Sequence, residues 1–176
     1  GTSFYTYDEG LPELPQFNAL YEIRRDKEYA VSYEVLESHI VEDVAIYPRD
    51  YHSLGEDAVP LLRDESFYQS NSVFPENNIL VSQRQTLRDL DVLAVTVIPF
   101  SYHAGDGILE VFDRIEIQVT EVGDRDNSRS DRPRSRVFET LYEDRVINYD
   151  LNDRTEDYQT PAVLYICGGN SEGHPY

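Results

Sequence analysis

Apolar and polar residues alternate along much of the region 1–120, and a period of two predicts β-strands. The alternation is clearest in Glu28–Glu37 and in Ile108–Thr120. Asp91–Phe100 is instead almost continuously apolar, as expected of a strand buried in the middle of a sheet. Shorter patterns predict further strands at Ala19–Arg25, Ile40–Tyr47 and Ile79–Arg84.

Residues that favour turns separate these predicted strands. Gly10–Pro15 predicts a turn before the first strand, and Ala104–Gly107 predicts the turn of a hairpin. Arg49–Asp64 lacks periodicity, which indicates a long surface loop, and Phe67–Pro75 is predicted to be a loop or a short edge strand. Since no helical pattern occurs early in the chain, we expect a mainly β fold, an antiparallel β-sandwich or jelly roll.

The last part of the chain follows a different pattern. Residues 121–136 are mostly polar and predict a mobile linker. Ser135–Ile147 has an apolar stripe typical of a short helix, with Ser135 as its cap. Pro161–Gly169 then predicts a buried strand of the kind that opens an α/β domain. We therefore expect a β-sandwich at 1–120, a linker, helix and junction at 121–160, and a truncated domain at 161–176.

The charge of the chain excludes some classes of partner. The formal net charge is −19, whereas nucleic-acid binding rests on Lys and Arg that neutralise phosphates. An anionic membrane surface is disfavoured for the same reason, and no apolar run approaches the roughly 20 residues that cross a bilayer. The first residues do not have the pattern of a signal peptide.

The sequence has no catalytic or metal-binding pattern. Cys167 ends an apolar strand, where a small buried side chain is expected rather than a nucleophile. The 4 histidines are too scattered to pair as metal ligands. Asp124 and Asp126 begin a spacing like that of a calcium loop, but Arg129 stands where that loop needs glycine. We expect no enzyme activity, metal or cofactor in this chain.

A set of segments has a familiar order and spacing. They are Gly10–Pro15, Val73–Pro75, Arg88–Tyr102, Leu109–Val119, Phe138–Tyr142 and Asn148–Asp150. Together they resemble the prodomain of gingipain-type cysteine peptidases, which are secreted proteases specific for Arg or Lys. Ala162–Gly168 in turn resembles the first strand of the caspase-like catalytic domain in that family.

The resemblance implies a jelly-roll sandwich that keeps its attached peptidase latent, assists its folding, and leaves after cleavage. A prodomain loop would block the active-site cleft, and Arg49–Asp64 corresponds to that loop. The implied inhibitory residues are Arg49, Ser53, Leu54, Gly55, Glu56 and Arg63. In Arg-specific relatives an arginine on the loop mimics substrate. Ser53–Glu56 contains no arginine, so the resemblance does not imply that specificity here.

The implied place of activation is the polar stretch Asp150–Thr160. Arg154 lies just before the new strand, so cleavage of the bond between Arg154 and Thr155 would separate the two domains. The implied partner is the chain's own caspase-like peptidase domain, which would make the parent protein a cysteine endopeptidase. Its expected location is outside the cell or on its surface, after type IX secretion.

Two other interpretations stay open. The chain could be a non-catalytic β-sandwich that binds carbohydrate or protein within a secreted multidomain protein. Its stacking platform would then be formed by Tyr47, Tyr51 and Tyr68, although the same tyrosines could be buried in a core. The chain could also belong to a family member that has lost catalysis or serves in the secretion machinery.

Overall fold

The computed structural model describes residues 2–48, 63–126 and 135–150. The strands are β1 (Thr2–Tyr5), β2 (Pro15–Ile23), β3 (Lys27–Val41), β4 (Val73–Phe74), β5 (Ile79–Val81), β6 (Gln85–Leu87), β7 (Leu90–Val97), β8 (Phe100–His103) and β9 (Ile108–Asp124). The helices are α1 (Glu65–Tyr68) and α2 (Glu139–Arg145), the latter preceded by a 3₁₀ turn at Arg136–Phe138. No helix among these residues is long and apolar enough to cross a membrane. The expected mainly β fold is confirmed.

The first sheet is built around β7. Strand β2 pairs with one edge of β7, from Phe17 opposite Val97 to Ile23 opposite Asp91, and β1 pairs with β2. Strands β5 and β6 pair one after the other along the opposite edge of β7. All these pairs are antiparallel. The prediction that the most apolar strand lies centrally in a sheet is therefore confirmed.

The second sheet has the order β3-β9-β8-β4 and is also antiparallel. Strands β3 and β9 form a long two-stranded ribbon, with register irregularities between Glu28 and Tyr29 and between Val35 and Ser38. Strands β8 and β9 form the predicted hairpin, in which His103 lies opposite Ile108. The two sheets give the sandwich-like arrangement that the sequence predicts.

Strand β7 is mostly apolar because both of its faces are covered. Successive side chains of a strand point to opposite faces. Leu93 lines the space between the sheets together with Val31 of β3. Leu90 and Val92, on the other face, pack against Tyr142 and Val146 of the C-terminal segment at residues 135–150. The molecule thus has three layers at β7, which are the second sheet, the first sheet and α2.

A second apolar cluster lies beside the β4–β8 side of the molecule. Leu14, Phe74 and Ile98 are buried there, and Phe67 and Leu109 pack against them. Burying one such side chain contributes roughly 1.5–3 kcal/mol. This cluster joins Leu14, at the end of the N-terminal segment between β1 and β2 (residues 6–14), to α1 and β4. It therefore places those elements next to each other.

Several sequence predictions are wrong in detail. Ile40–Tyr47 is not a separate strand, because β3 continues through Val41 opposite Leu109 and the chain then turns at Asp43, where φ is 58°. Phe67–Pro75 contains the end of α1 as well as β4. Ser135 precedes the 3₁₀ turn, but its side chain makes no capping hydrogen bond. Strand β9 also extends beyond its predicted end, because its last residues still pair with β3.

Candidate functional site

The candidate site is where the two described segments that flank the predicted loop, one ending at residue 48 and one beginning at residue 63, both contact residues 10–13. We call residues 44–48 the first stem. The buried Tyr102 of β8 supports it, since its hydroxyl donates to the carbonyl of Val44 at 3.1 Å and accepts from the N–H of Ile46 at 3.3 Å. Val44 also donates its N–H to the carbonyl of Gly107 at 2.8 Å. The first stem is therefore fixed to the β8–β9 hairpin.

The second stem, Arg63–Asp64, is held by the N-terminal segment. The N–H of Asp64 donates to the carbonyl of Gly10 at 3.0 Å. Gly10 has a φ of +78°, and a Cβ there would lie 3.0 Å from the backbone nitrogen of Asp64. Glycine is needed at this position both for its backbone conformation and for the close approach of the second stem.

The same N-terminal segment also contacts the first stem. The N–H of Glu13 donates to the carbonyl of Tyr47 at 3.2 Å. Pro12 and Pro48 form an isolated antiparallel bridge. We call Gly10–Glu13 the clamp, because it bonds to both stems and so fixes how far apart they lie.

Thr6 holds the clamp in shape. It is a buried polar residue whose hydroxyl donates to the carbonyl of Pro12 at 2.8 Å and accepts from the N–H of Leu14 at 3.0 Å. Its own N–H donates to the carbonyl of Leu14 at 2.9 Å. A buried hydroxyl with both roles satisfied stabilises the local backbone. The clamp is thus tied to the start of β2 on one side.

Asp64 also begins α1. Its carboxylate accepts hydrogen bonds from the N–H groups of Ser66 at 3.0 Å and Phe67 at 3.2 Å, and from the Ser66 hydroxyl at 2.6 Å. This is the geometry of an N-terminal cap. The hydrogen bonds from the Ser66 side chain and from the Phe67 backbone lower the pKa of Asp64 below its ordinary value. One residue therefore ties the second stem both to α1 and to the clamp.

Arg63 lies over Tyr68 at the second stem. Its guanidinium carbon is 4.2 Å from the centroid of the Tyr68 ring, and its Nε is 3.5 Å from a carboxylate oxygen of Glu65. Burial raises the pKa of Tyr68 to about 12. The cation–π contact orients Arg63 along α1.

Some of the predicted site residues lie within the described ranges, and others lie outside them. Arg63 is the single inhibitory residue that it places. The others lie outside the described residues, as do both predicted processing residues. They are Arg49, Ser53, Leu54, Gly55, Glu56, Arg154 and Thr155. Their assignments stay predictions, and Cys167 also lies outside.

A second element of interest precedes the predicted junction. We call Glu139–Tyr149 the strap. Tyr142 is 0% exposed and Val146 is 3% exposed, and both pack against Leu90 and Val92 of β7. The strap thus completes the core on the outer face of the first sheet.

The turn between β6 and β7 receives the strap. The Tyr142 hydroxyl is hydrogen-bonded to the carboxylate of Asp89. The guanidinium carbon of Arg88 lies 4.2 Å from the ring centroid of Phe138, just before the strap. Arg88 has a φ of 62°, so this turn has the left-handed backbone that places both side chains towards the C-terminal segment.

Asn148 fastens the end of the strap to β2. Its side-chain oxygen accepts from the N–H of Glu22 at 2.7 Å, and its amide nitrogen donates to the carbonyl of the same residue at 2.9 Å. Ile147 donates its N–H to the carbonyl of Leu20 at 2.9 Å, and Val146 forms a parallel bridge with Leu20. The side-chain amide of Asn148 therefore makes the two hydrogen bonds to Glu22 that the backbone of a neighbouring strand would otherwise make.

No group of residues suited to bind a metal ion occurs in the described ranges. Asp124, which begins the calcium-like spacing, accepts a hydrogen bond from the amino group of Lys27 at 2.5 Å. His39 has its Nδ1 2.7 Å from a carboxylate oxygen of Asp113, in an exposed pair on the β3–β9 ribbon. Both contacts are exposed polar contacts between β3 and β9.

The tyrosine platform of the ligand-binding alternative does not form as expected. Tyr68 is 8% exposed and packs edge-to-face on Phe67, with ring centroids 5.3 Å apart. Tyr47 is 60% exposed, and Tyr51 lies outside the described residues. Tyr68 belongs to the core, so its assignment to an exposed stacking platform is wrong.

Sequence reasoning missed most of the residues that build these two regions. Gly10–Pro15 gave a turn signal, and its Gly-x-Pro pattern was the feature that could have indicated contacts beyond the turn itself. Thr6 gave no signal, and Tyr102 and Asn148 were marked only as parts of the segments that carry the resemblance. Their hydrogen bonds were missed because their partners are distant in sequence and a single sequence does not reveal the pairing.

Comparisons with known proteins give one matching family and solved structures of similar fold. A family model described as Propeptide_C25 matches residues 3–155. The structure is similar to that in "Complex of Porphyromonas gingivalis RgpB pro- and mature domains", with a TM-score of 0.65, 23% identity, and coverage of 84% of this chain and 77% of that one. It is also similar to that in "Structural insight into zymogenic latency of gingipain K from Porphyromonas gingivalis", with a TM-score of 0.56, 21% identity, and coverage of 69% and 71%. No curated protein matches the chain.

Proposed function

Because the chain belongs to the Propeptide_C25 family, the propeptides of gingipain-type cysteine peptidases, we propose that it inhibits its own peptidase until the junction is cut. In this proposal it also serves as a folding chaperone for the caspase-like peptidase domain. The similar structure of RgpB pro- and mature domains in one complex supports a direct contact of this kind. The partner is therefore the peptidase domain rather than a nucleic acid or a membrane.

The observation that carries the proposal is the clamp on both stems of the loop at 49–62. Gly10 accepts from Asp64 and Glu13 donates to Tyr47, so one short segment fixes both ends of the loop. A loop held at both ends loses less conformational entropy when it binds, and its affinity rises accordingly. Such support suits a segment that occupies a peptidase cleft.

The residues assigned to the cleft are Arg49, Ser53, Leu54, Gly55 and Glu56, with Arg63 at the second stem. Arg63 is already engaged by Tyr68 and Glu65. We therefore assign it to the support of the loop rather than to the specificity pocket. The substrate-like part of the loop would be Ser53–Glu56.

Activation in this proposal is a cut between Arg154 and Thr155. While the chain is intact, the tether keeps inhibitor and peptidase at a high effective concentration. After the cut, inhibition depends on bimolecular affinity alone, and dilution releases the peptidase. We place this process outside the cell or on its surface, after type IX secretion.

The direct test adds the purified chain to the mature form of its own peptidase and measures the inhibition constant. Inhibition at micromolar concentration or below is expected. A variant with both Leu54→Ser and Glu56→Ser, in which residues 53–56 are only serine and glycine, should lose most of the inhibition. Glu143→Gln, on an exposed site of α2, should retain it. No inhibition by the unaltered chain at micromolar concentration would overturn the latency role.

A further inference from the structure

The strap contains an arginyl bond of its own. Arg145 is the last residue of α2, and the bond that follows it leads into Val146. This bond lies only a short way along the chain from the bond after Arg154. A protease that cuts after arginine therefore meets two bonds of the same type in this part of the chain. A cut at Arg145 would leave the end of the strap on the peptidase side of the break.

The structure hides the bond between Arg145 and Val146. Val146 is 3% exposed, and its N–H donates to the carbonyl of Tyr142 at 2.8 Å. Cleavage requires exposed backbone whose hydrogen bonds can be given up, so its rate at this bond depends on how often the strap opens. The Arg145 side chain is exposed, and protection therefore comes from the backbone rather than from the arginine itself.

The hydrogen bonds that resist this opening lie on the C-terminal side of the bond. Ile147 donates to Leu20 at 2.9 Å, and Asn148 makes its two hydrogen bonds to the backbone of Glu22. Among these contacts, those of Asn148 are the ones that a side chain provides. Its removal is therefore the mildest change that would free the strap end while Tyr142 stays in the core.

We propose that Asn148 is a positioning residue for processing, because it holds the strap on β2, hides the bond after Arg145 and confines the activating cut to the chain beyond Asp150. This inference rests on the proposed zymogen role for its biological meaning. The protection itself is a property of this chain alone.

The test is limited digestion of the full chain with trypsin, with new N-termini identified over time by mass spectrometry. In the unaltered protein, cuts in the linker and after Arg154 are expected well before any cut after Arg145. In Asn148→Ala, loss of two partly solvated hydrogen bonds should speed cleavage after Arg145 by about three- to tenfold. Asn148→Asp, which keeps the acceptor, should give an intermediate rate, and Glu143→Gln should give the unaltered rate.

Cleavage after Arg84 and Arg114 reports opening of the sandwich itself, since both arginines lie within or beside the sheets. Their rates should not change in Asn148→Ala. The inference is overturned if the unaltered chain is cut after Arg145 as fast as after Arg154. It is equally overturned if Asn148→Ala has no effect, or if all arginyl bonds accelerate together. Loss of peptidase inhibition, by contrast, would refute the latency role and leave this result untouched.

Discussion

The loop base and the strap are attached to the same sandwich by different kinds of contact. At the loop base, backbone groups of the clamp bond to backbone groups of both stems. In the strap, side chains add to one backbone hydrogen bond from Ile147 to Leu20: Tyr142 fills the core, and Asn148 bonds to the edge of β2. The contacts from the clamp to the two stems thus depend on backbone conformation, with side chains such as Thr6 and Tyr102 supporting them from behind, whereas the strap depends mainly on which side chains are present.

The difference matters for what each region must do. A clamp built from backbone keeps the loop in place whatever the sequence of the loop becomes, so specificity can vary on a constant support. A strap built from side chains can be loosened by single substitutions. The comparison therefore predicts that changes in the strap act mainly on stability and processing, and changes in the clamp mainly on inhibition.

The largest expected effect is that of Tyr142→Ala. The side chain is 0% exposed, so its removal leaves a cavity against Leu90 and Val92 and should lower the free energy of unfolding by about 3–5 kcal/mol. Urea denaturation measures this. Leu141→Ala, at a neighbour that is 40% exposed, is the control and should cost much less. Equal losses in the two variants would show that the strap does not complete the core.

Thr6→Val should come next. The change keeps the shape of the side chain but leaves the carbonyl of Pro12 and the N–H of Leu14 without the hydroxyl, at a cost of about 1–3 kcal/mol. The temperature of thermal unfolding should fall, and the inhibition constant should rise. Thr120→Val on the exposed face of β9 is the matched control. An unchanged inhibition constant would contradict a role of Thr6 in supporting the clamp.

Gly10→Ala should act on inhibition more than on stability. Its φ of +78° costs a residue with Cβ about 1–2 kcal/mol, and the added carbon would press on Asp64. We expect weaker protection of the Asp64 amide from hydrogen exchange and up to about tenfold weaker inhibition. Gly123→Ala, where a Cβ would meet nothing within 4 Å, should change neither quantity. The same loss in both variants would refute the clamp.

The smallest effect concerns the pH dependence of α1. The folded pKa of Asp64 is lowered, so its cap stabilises α1 above the ordinary aspartate pKa of 3.8 and is lost as the pH falls through the folded value. Amide exchange at Phe67, measured from neutral to acid pH, should show this loss. In Asp64→Asn the dependence on that carboxylate should disappear. A dependence that persists in the variant would belong to another group.

Much of the fold could be predicted because strand patterning is local. The continuous apolar run of β7 predicted a central strand, and Ala104–Gly107 predicted the β8–β9 hairpin. The end of β3 was missed because Ile40 and Val41 are as apolar as the start of a new strand. The turn that ends β3 rests on the positive φ of Asp43, which composition alone does not reveal.

The candidate site was predictable in location but not in construction. Resemblance placed the loop at 49–64 and the junction at 150–160. The clamp joins Gly10 to Asp64, and the strap joins Glu22 to Asn148, so both depend on contacts between residues far apart in sequence. Such pairings are set by the topology of the two sheets rather than by local pattern. The family assignment confirmed the resemblance, and the loop residues themselves stay predictions.

The packing of Val146 and Tyr142 on β7 also has a consequence for the order of folding. These residues lie close to the C-terminal end of the described ranges, yet they cover Leu90 and Val92 of β7. Until they pack there, the outer face of the first sheet has no cover and the folding chain exposes an apolar surface. The core of the first sheet is therefore complete only after the strap has docked, so this C-terminal segment must join the fold before the sandwich reaches its full stability.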